Sequence, residues 1–240
     1  MAECAAGSVR SKDAAAWGVH LFTAGGVVLA LLALDSVLRD AYREALIWLL
    51  LALIVDGIDG TLARRLHVAE LVPQIDGASL DLVIDYLTYV LVPVLILWRG
   101  DFLLPVLALP LSALILLSSL YVFARRDMKT DDGYFRGFPA LWNVIAFYFV
   151  LLPPAELTAT AIVVVLILLT FAPIHVVHPL RTGDSRNAAL GAVVIWLVST
   201  AVLVLAGGAQ PWRNTAAIAS LGSLAVLAGI GFRRTSRGPR

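Results

Sequence analysis

Long apolar segments, each separated from the next by a short polar break, run through almost the whole chain. A helix needs about 20 apolar residues to cross the hydrocarbon core of a bilayer. The chain is 60% hydrophobic and 15% charged, whereas soluble domains carry about 25% charged residues. We therefore predict an all-α polytopic membrane protein with about eight transmembrane helices. The predicted spans are roughly 15–35, 44–64, 79–98, 102–124, 138–154, 157–177, 188–206 and 214–232.

Positively charged residues indicate how these spans are oriented. If the N-terminus lies in the cytosol, 14 of the 18 lysines and arginines lie on the cytosolic side. Cytosolic loops of membrane proteins carry such an excess of basic residues. We therefore expect both termini in the cytosol, with a cytoplasmic tail at 1–13, a transmembrane domain at 14–232 and a basic tail at 233–240. Only four basic residues would then lie outside: Arg39, Arg43, Arg99 and Arg213.

Four aspartates lie at the predicted cytosolic ends of the second and third spans. Because a helical residue turns about 100°, Asp56 and Asp59 share one face of the second span, and Asp81 and Asp85 share one face of the third. Carboxylates placed this close together repel one another. Placing each charged group beside hydrocarbon also costs free energy. Mg²⁺ and Mn²⁺ prefer oxygen ligands and would relieve that repulsion. Two such ions about 4 Å apart can clamp a phosphoryl group and activate a hydroxyl.

Small residues and an arginine occupy the same two helix faces. Gly60 and Ala63 follow the aspartates of the second span, and Gly77 precedes those of the third, so a bulky ligand can approach the backbone. Arg64 shares the face of the second span that carries Asp56 and Asp59, and it is suited to hold a phosphate. The alternative is a set of interfacial acids that pair with Arg64 and Arg65. The spacing of three and four residues, with small residues on the same faces, favours a binding site.

These residues resemble the signature of the CDP-alcohol phosphotransferase family, D-x2-D-G-x2-A-R followed by G-x3-D-x3-D. The 12 residues between Arg64 and Gly77 form a longer spacer than most members have, and this spacer is similar to that of the bacterial phosphatidylcholine synthases. The stretches WGVHLFTAGG (17–26) and RRDMKTDDGYFRGFPALWNVIAFY (125–148) resemble the same branch. The complete signature consists of Asp56, Asp59, Gly60, Ala63, Arg64, Gly77, Asp81 and Asp85.

The resemblance implies a fold, a reaction and a set of site residues. The chain would have the CDP-alcohol phosphotransferase fold and transfer the phosphatidyl group of CDP-diacylglycerol to choline, with release of CMP. Two divalent ions, Mn²⁺ or Mg²⁺, would be held by Asp56, Asp59, Asp81 and Asp85, and Asp85 would also act as the general base. In the first span many relatives have asparagine where this chain has His20. The CDP-diacylglycerol site would comprise Gly60, Ala63, Arg64, Gly77, Thr23 and His20.

The resemblance also implies partners and a location. Choline is a quaternary ammonium ion, and proteins often hold such ions against aromatic faces. Tyr89, Tyr134 and Trp142 are the candidates for a choline cage. We expect a homodimer in a lipid bilayer, the bacterial inner membrane, with the active site facing the cytosol and with no nucleic-acid partner.

Two other functions are compatible with the same residues. Another enzyme of the family would use serine, glycerol phosphate or inositol phosphate as the acceptor. Several arginines lie near enough in sequence to help bind a phosphorylated acceptor. A divalent-cation transporter would also use acidic residues, but transporters usually place their ion site near the middle of the bilayer. The arginines in question are Arg65, Arg125, Arg126 and Arg136.

Overall fold

The computed structural model describes residues 2–179, 185–206 and 211–237, with side chains from residue 13 onward, and this part is mostly helical. A π-helical segment, Tyr86–Leu91, joins α4 to α5. Two short strands are β1 (Tyr134–Arg136) and β2 (His175–Val177). The helices are α1 (Ala2–Leu38), α2 (Tyr42–Arg65), α3 (Val68–Leu71), α4 (Gly77–Asp85), α5 (Val92–Arg99), α6 (Pro105–Ala124), α7 (Trp142–Leu151), α8 (Glu156–Thr170), α9 (Arg186–Leu205) and α10 (Arg213–Ser236).

Several helices are long and apolar enough to cross a membrane, which confirms an integral, all-α membrane protein. Large apolar side chains remain exposed on these helices, for example Leu31 on α1 and Ile218 on α10, as expected of surfaces that face lipid. Within the described residues there are six such helices: Asp13–Leu38, Tyr42–Arg65, Gly77–Arg99, Pro105–Ala124, Arg186–Leu205 and Arg213–Ser236.

The fifth and sixth predicted spans form shorter helices than the sequence suggested. α7 has 10 residues and α8 has 15. The predicted helix over 157–177 is wrong at its C-terminal end, because α8 ends at Thr170 and the last three residues form β2. Pro173 lies between them, and proline cannot continue a helix without losing a backbone hydrogen bond. The count of eight spans, the cytosolic termini and the limits of the two tails stay predictions.

The described chain divides into two compact units, Met1–Val92 and Pro93–Arg240. In the first unit, α1 packs along α2 and also contacts α3, α4 and the π-helical segment. A Cβ atom at Gly26 would lie 2.6 Å from Cγ2 of Ile84, so the close approach of α1 to α4 requires a glycine at this position. In the first unit, α1 thus packs against both helices that carry the signature residues, α2 and α4.

The second unit is held together partly by polar contacts between its helices. The Trp196 indole N–H donates to the Tyr148 hydroxyl at 3.1 Å, and that hydroxyl lies 2.6 Å from Ser220 Oγ. β1 and β2 form a two-stranded antiparallel sheet in which Arg136 lies opposite His175. These contacts satisfy polar groups inside an otherwise apolar unit, where an unpaired group would be costly.

Candidate metal and substrate site

Three of the four signature aspartates come together in the first unit. One carboxylate oxygen from each of Asp56, Asp81 and Asp85 lies within 4.8 Å of the other two. Asp56 belongs to α2, and the other two lie one turn apart on α4. All three side chains are half-buried. We call these three residues the carboxylate cluster; among the described residues it is the single group of three or more side chains with metal-ligand spacing.

The position of α4 is fixed by a capped N-terminus. Asp76 precedes the helix, and its side chain accepts a hydrogen bond from the backbone N–H of Ala78 at 3.1 Å. Hydrogen bonds from the Ser79 side chain and backbone hold the pKa of the Asp76 carboxyl below its usual value. A charged cap is favourable at the positive end of a helix. The cap therefore sets where α4 begins, one turn before Asp81.

Asp59, the fourth signature aspartate, lies apart from the carboxylate cluster. Its side chain is only 5% exposed. Its carboxylate accepts hydrogen bonds from the Thr23 side chain of α1 and from the backbone N–H of Gly60. Because Asp59 lies three residues after Asp56, it points about 60° away around α2, toward α1. A role for Asp59 as a metal ligand stays a prediction.

His20 and Thr23 lie on the part of α1 that faces these residues. The imidazole of His20 is 8% exposed, and its Nε2 atom has no hydrogen-bond partner among the described residues. A Cβ atom at Gly77 would lie 3.3 Å from Cε1 of His20. Trp17 contacts the imidazole edge-to-face, with ring centroids 6.4 Å apart. Gly77 therefore makes room for a side chain of this protein, whereas the sequence had suggested room for a ligand.

The remaining signature residues of α2 are Gly60, Ala63 and Arg64, and their contacts differ. Arg64 is exposed, and its guanidinium donates to Thr61 Oγ1 at 3.3 Å. A Cβ atom at Gly60 would meet Arg64 Nη1 at 3.3 Å, so the glycine lets this guanidinium lie against α2. Ala63 packs against the apolar cluster that includes Ala16 of α1. The assignment of these residues to CDP-diacylglycerol binding stays a prediction.

Tyr89 lies beside the carboxylate cluster, in the π-helical segment. Its hydroxyl donates a hydrogen bond to Oδ2 of Asp56 at 2.6 Å. Asp81 and Asp85 also interact electrostatically with this hydroxyl. The sequence analysis proposes the ring of Tyr89 for a choline cage. It does not predict the hydrogen bond from the Tyr89 hydroxyl to Asp56. The signal in the sequence was the position of Tyr89 about 80° from Asp81 on a regular helix.

The other two candidates for a choline cage belong to the second unit. Tyr134 is on β1, where its ring packs edge-to-face with His175, and the Arg234 guanidinium lies 5.9 Å from the ring centroid. Trp142 is fully buried at the start of α7, and its indole N–H donates to Ser119 Oγ at 2.9 Å. A role in choline binding stays a prediction for both residues.

The carboxylate cluster has the chemistry expected of a divalent-cation site. All its ligand atoms are carboxylate oxygens, which are the ligands that Mg²⁺ and Mn²⁺ prefer. Three negative charges within 4.8 Å of one another repel strongly unless a cation or protons neutralise them. The residues present therefore fit a hard divalent metal ion.

Comparison with known proteins identifies the family. The model of the CDP-alcohol phosphatidyltransferase family matches residues 19–174, which is more than half of the chain. The chain is 45% identical over 194 residues to the phosphatidylcholine synthase of Pseudomonas aeruginosa, covering 81% of this chain and 82% of that protein. It is 46% identical over 185 residues to the phosphatidylcholine synthase of Bradyrhizobium diazoefficiens, covering 77% and 69%.

A more distant relative agrees with these two. The chain is 38% identical over 180 residues to the phosphatidylcholine synthase of Borreliella burgdorferi, covering 75% of this chain and 77% of that protein. The matched region of the family model includes every residue of the carboxylate cluster together with Asp59, Arg64 and Gly77. The chain therefore belongs to the CDP-alcohol phosphatidyltransferase family.

Proposed function

We propose that this protein is a phosphatidylcholine synthase, which transfers the phosphatidyl group of CDP-diacylglycerol to choline and releases CMP. The observation that carries the proposal is the carboxylate cluster, because it lies within the region matched by the family model. The relatives that match most of this chain are phosphatidylcholine synthases. Their similarity supports choline over serine, glycerol phosphate or inositol phosphate as the acceptor.

Divalent metal ions are used throughout this family, and the carboxylate cluster would hold them here. Asp56, Asp81 and Asp85 would supply the ligands, and we propose Asp59 as a fourth. The ions, Mn²⁺ or Mg²⁺, would neutralise charge on the diphosphate and favour ionisation of a nearby hydroxyl. Choline itself carries a positive charge, so the acceptor gains no attraction from the metal.

We propose Asp85 as the general base. Its carboxylate would accept the proton of the choline hydroxyl while the hydroxyl oxygen attacks the phosphorus that bears the diacylglycerol. A bond forms between choline oxygen and phosphorus, the bond from that phosphorus to the bridging diphosphate oxygen breaks, and CMP leaves with the bonding electrons. General bases placed in this way contribute about 10²–10⁴-fold to the rate.

The surroundings of the carboxylate cluster support a binding site for CDP-diacylglycerol. Arg64 is exposed at the end of α2 and would bind the diphosphate by charge-assisted hydrogen bonds. On α1, the buried imidazole of His20 has a ring nitrogen without a partner among the described residues, and we propose that it contacts the nucleotide. Thr23, Gly60, Ala63 and Gly77 complete the proposed site.

Further parts of the proposal rest on the similarity to the family and on the charge pattern. Within the first unit, the ring of Tyr89 is the proposed aromatic contact of choline. The protein would be a homodimer in the bacterial inner membrane. Its active site would open to the cytosol, where choline is soluble and where the headgroup of CDP-diacylglycerol lies.

The test of this function is the release of CMP by purified protein in detergent. CDP-diacylglycerol and Mn²⁺ are supplied with choline, serine, inositol or glycerol 3-phosphate in separate reactions, and Asp85→Asn serves as the inactive control. Release that requires choline supports the proposal. Release with another alcohol instead would contradict the acceptor. No release with any acceptor, together with movement of Mn²⁺ across vesicles, would support a transporter.

A further inference from the structure

One hydrogen bond links the carboxylate cluster to a residue outside the family signature. The Tyr89 hydroxyl donates to Oδ2 of Asp56 at 2.6 Å, and the two residues lie 33 positions apart in the sequence. The bond therefore joins the π-helical segment directly to α2. It is shorter than the usual O–H···O bond of about 2.7–2.8 Å, as expected where the acceptor is ionised.

Tyr89 lies in a segment where the helix is π-helical and not α-helical. The chain leaves α4 at Asp85 and forms six π-helical residues before α5 begins at Val92. A π turn contains one more residue than an α turn, and such insertions occur frequently at functional sites. The wider turn changes the direction of Tyr89 relative to Asp81 and Asp85. From this segment its hydroxyl reaches a carboxylate on a different helix, α2.

The hydroxyl interacts with all three carboxylates, and it donates a hydrogen bond to Asp56. Asp81 and Asp85 interact with it electrostatically, while Asp56 also accepts the hydrogen bond. A carboxylate has two oxygens, and a hydrogen bond to Oδ2 of Asp56 does not prevent the carboxylate from also binding a cation. A hydrogen bond to one oxygen also fixes the rotation of the carboxylate, which orients the other oxygen.

We propose that Tyr89 is a positioning residue, whose hydroxyl holds the Asp56 carboxylate in the orientation that binds a divalent cation. This inference rests on the proposed function for its metal, but it assigns a role to a residue that the family signature lacks. Groups that hydrogen-bond to metal ligands typically change metal affinity by about 10–100-fold when removed.

This role differs from the proposed choline cage in the part of the side chain that it uses. A cage uses the face of the aromatic ring, whereas positioning uses the hydroxyl. Tyr89→Phe removes the hydroxyl and keeps the ring. This substitution therefore weakens metal binding under the positioning role and leaves it unchanged if the ring alone matters.

A matched control is available in the same π-helical segment. Thr88 is buried, and its hydroxyl donates to the backbone carbonyl of Ile84 at 3.0 Å. Thr88→Val removes one hydroxyl from the segment without touching a carboxylate. It therefore measures how far a general disturbance of the segment affects the metal site.

The experiment measures Mn²⁺ binding by electron paramagnetic resonance on purified full-length protein without any substrate. We expect Tyr89→Phe to raise the dissociation constant about tenfold and Thr88→Val to leave it near the wild-type value. In turnover assays, excess Mn²⁺ should restore kcat of Tyr89→Phe, while KM for choline stays the same. Restoration by the metal would not be seen if the substitution merely damaged the fold.

Several results would overturn the inference. An unchanged Mn²⁺ dissociation constant in Tyr89→Phe would show that the hydroxyl does not position Asp56, and so would an equal loss of affinity in Thr88→Val. A raised KM for choline with normal Mn²⁺ affinity would assign Tyr89 to the acceptor instead. Because binding is measured without substrate, a failure of the choline reaction in wild-type protein would contradict the proposed function alone.

Discussion

The hydroxyl of Thr23 on α1 donates a hydrogen bond to the buried carboxylate of Asp59 on α2. Asp59 therefore faces α1 and is not part of the carboxylate cluster, although the four aspartates form one sequence signature. The hydrogen bond from Thr23 also ties the first helix to the site, because a buried carboxylate needs partners for its oxygens. Thr23 therefore contributes to the stability of the first unit as well as to the proposed substrate site.

Removal of the Thr23 hydroxyl should destabilise the protein. Thr23→Val keeps the shape of the side chain but takes a donor from Asp59, and hydrogen bonds to charged groups contribute about 1.5–3 kcal/mol. We expect a decrease of this order in the free energy of unfolding, measured by denaturant titration in detergent. Thr23→Ser, which retains the hydroxyl, should lose less stability than the valine variant. Equal stability of the valine variant and the wild type would show that the hydrogen bond contributes nothing.

Gly77 should tolerate a methyl group poorly because of its contact with His20. The Cβ atom of Gly77→Ala would lie 3.3 Å from a carbon of the buried imidazole, and overpacking of this kind costs about 1–3 kcal/mol. Gly57→Ala is the matched control, since no atom lies within 4 Å of a Cβ at that position. Alanine in a helix is favoured over glycine by up to about 1 kcal/mol. We therefore expect thermal stability to fall in the first variant and to hold or rise in the second; the reverse order would contradict the packing.

Arg64 should be required for tight binding of CDP-diacylglycerol. Charge-assisted hydrogen bonds of about 1.5–3 kcal/mol correspond to roughly 10–100-fold in affinity, so Arg64→Ala should raise the dissociation constant by that factor. Equilibrium binding of radiolabelled CDP-diacylglycerol measures it. Arg65→Ala is the control, because Arg65 is also exposed but lies about 100° further around α2. Equal effects of the two substitutions would mean that only the total positive charge matters.

His175 should make the stability of the second unit depend on pH. Burial, assisted by the positive charge of Arg234 and to a smaller extent of Arg136, lowers the pKa of His175, while Asp132 opposes the shift. The folded protein therefore favours the neutral imidazole. The resulting stability is present above the unfolded pKa of about 6.5 and is lost as pH falls from there toward the lower folded pKa.

The measurement is the melting temperature in detergent between about pH 7.5 and pH 5.5, a range that spans the unfolded pKa of histidine. Wild-type protein should lose stability over this interval. His175→Asn should show a smaller decrease, because asparagine does not take up a proton. A decrease of the same size in both proteins would place the titrating group elsewhere.

The sequence predicts those features of the carboxylate cluster that depend on the geometry of a single helix. Asp81 and Asp85 share a helix face by spacing alone, and the second span places Asp56 close to the same end. Asp59 could not be placed in this way, because its surroundings depend on how α1 packs against α2. Asp59 lies three residues after Asp56 and therefore points toward α1. The sequence alone does not give the position of α1 relative to α2.

Irregular structure accounts for the rest of what the sequence did not predict. The π-helical segment departs from the regular turn on which helix-face arguments depend. The spacing places Tyr89 near Asp81, but the hydrogen bond from its hydroxyl to Asp56 depends on how this segment packs against α2, which the sequence does not give. β1 and β2 have three residues each and pair across a long stretch of sequence. Strands this short carry no detectable alternation of apolar and polar residues.

The most direct test of the central claim follows deuterated choline into lipid. Purified protein in detergent is incubated with CDP-diacylglycerol, Mn²⁺ and deuterated choline, and mass spectrometry measures labelled phosphatidylcholine alongside CMP. We predict equal amounts of the two products from wild-type protein and a loss of at least about 100-fold in Asp85→Asn, with CDP-diacylglycerol binding retained. CMP without labelled phosphatidylcholine, or undiminished synthesis by Asp85→Asn, would contradict this account.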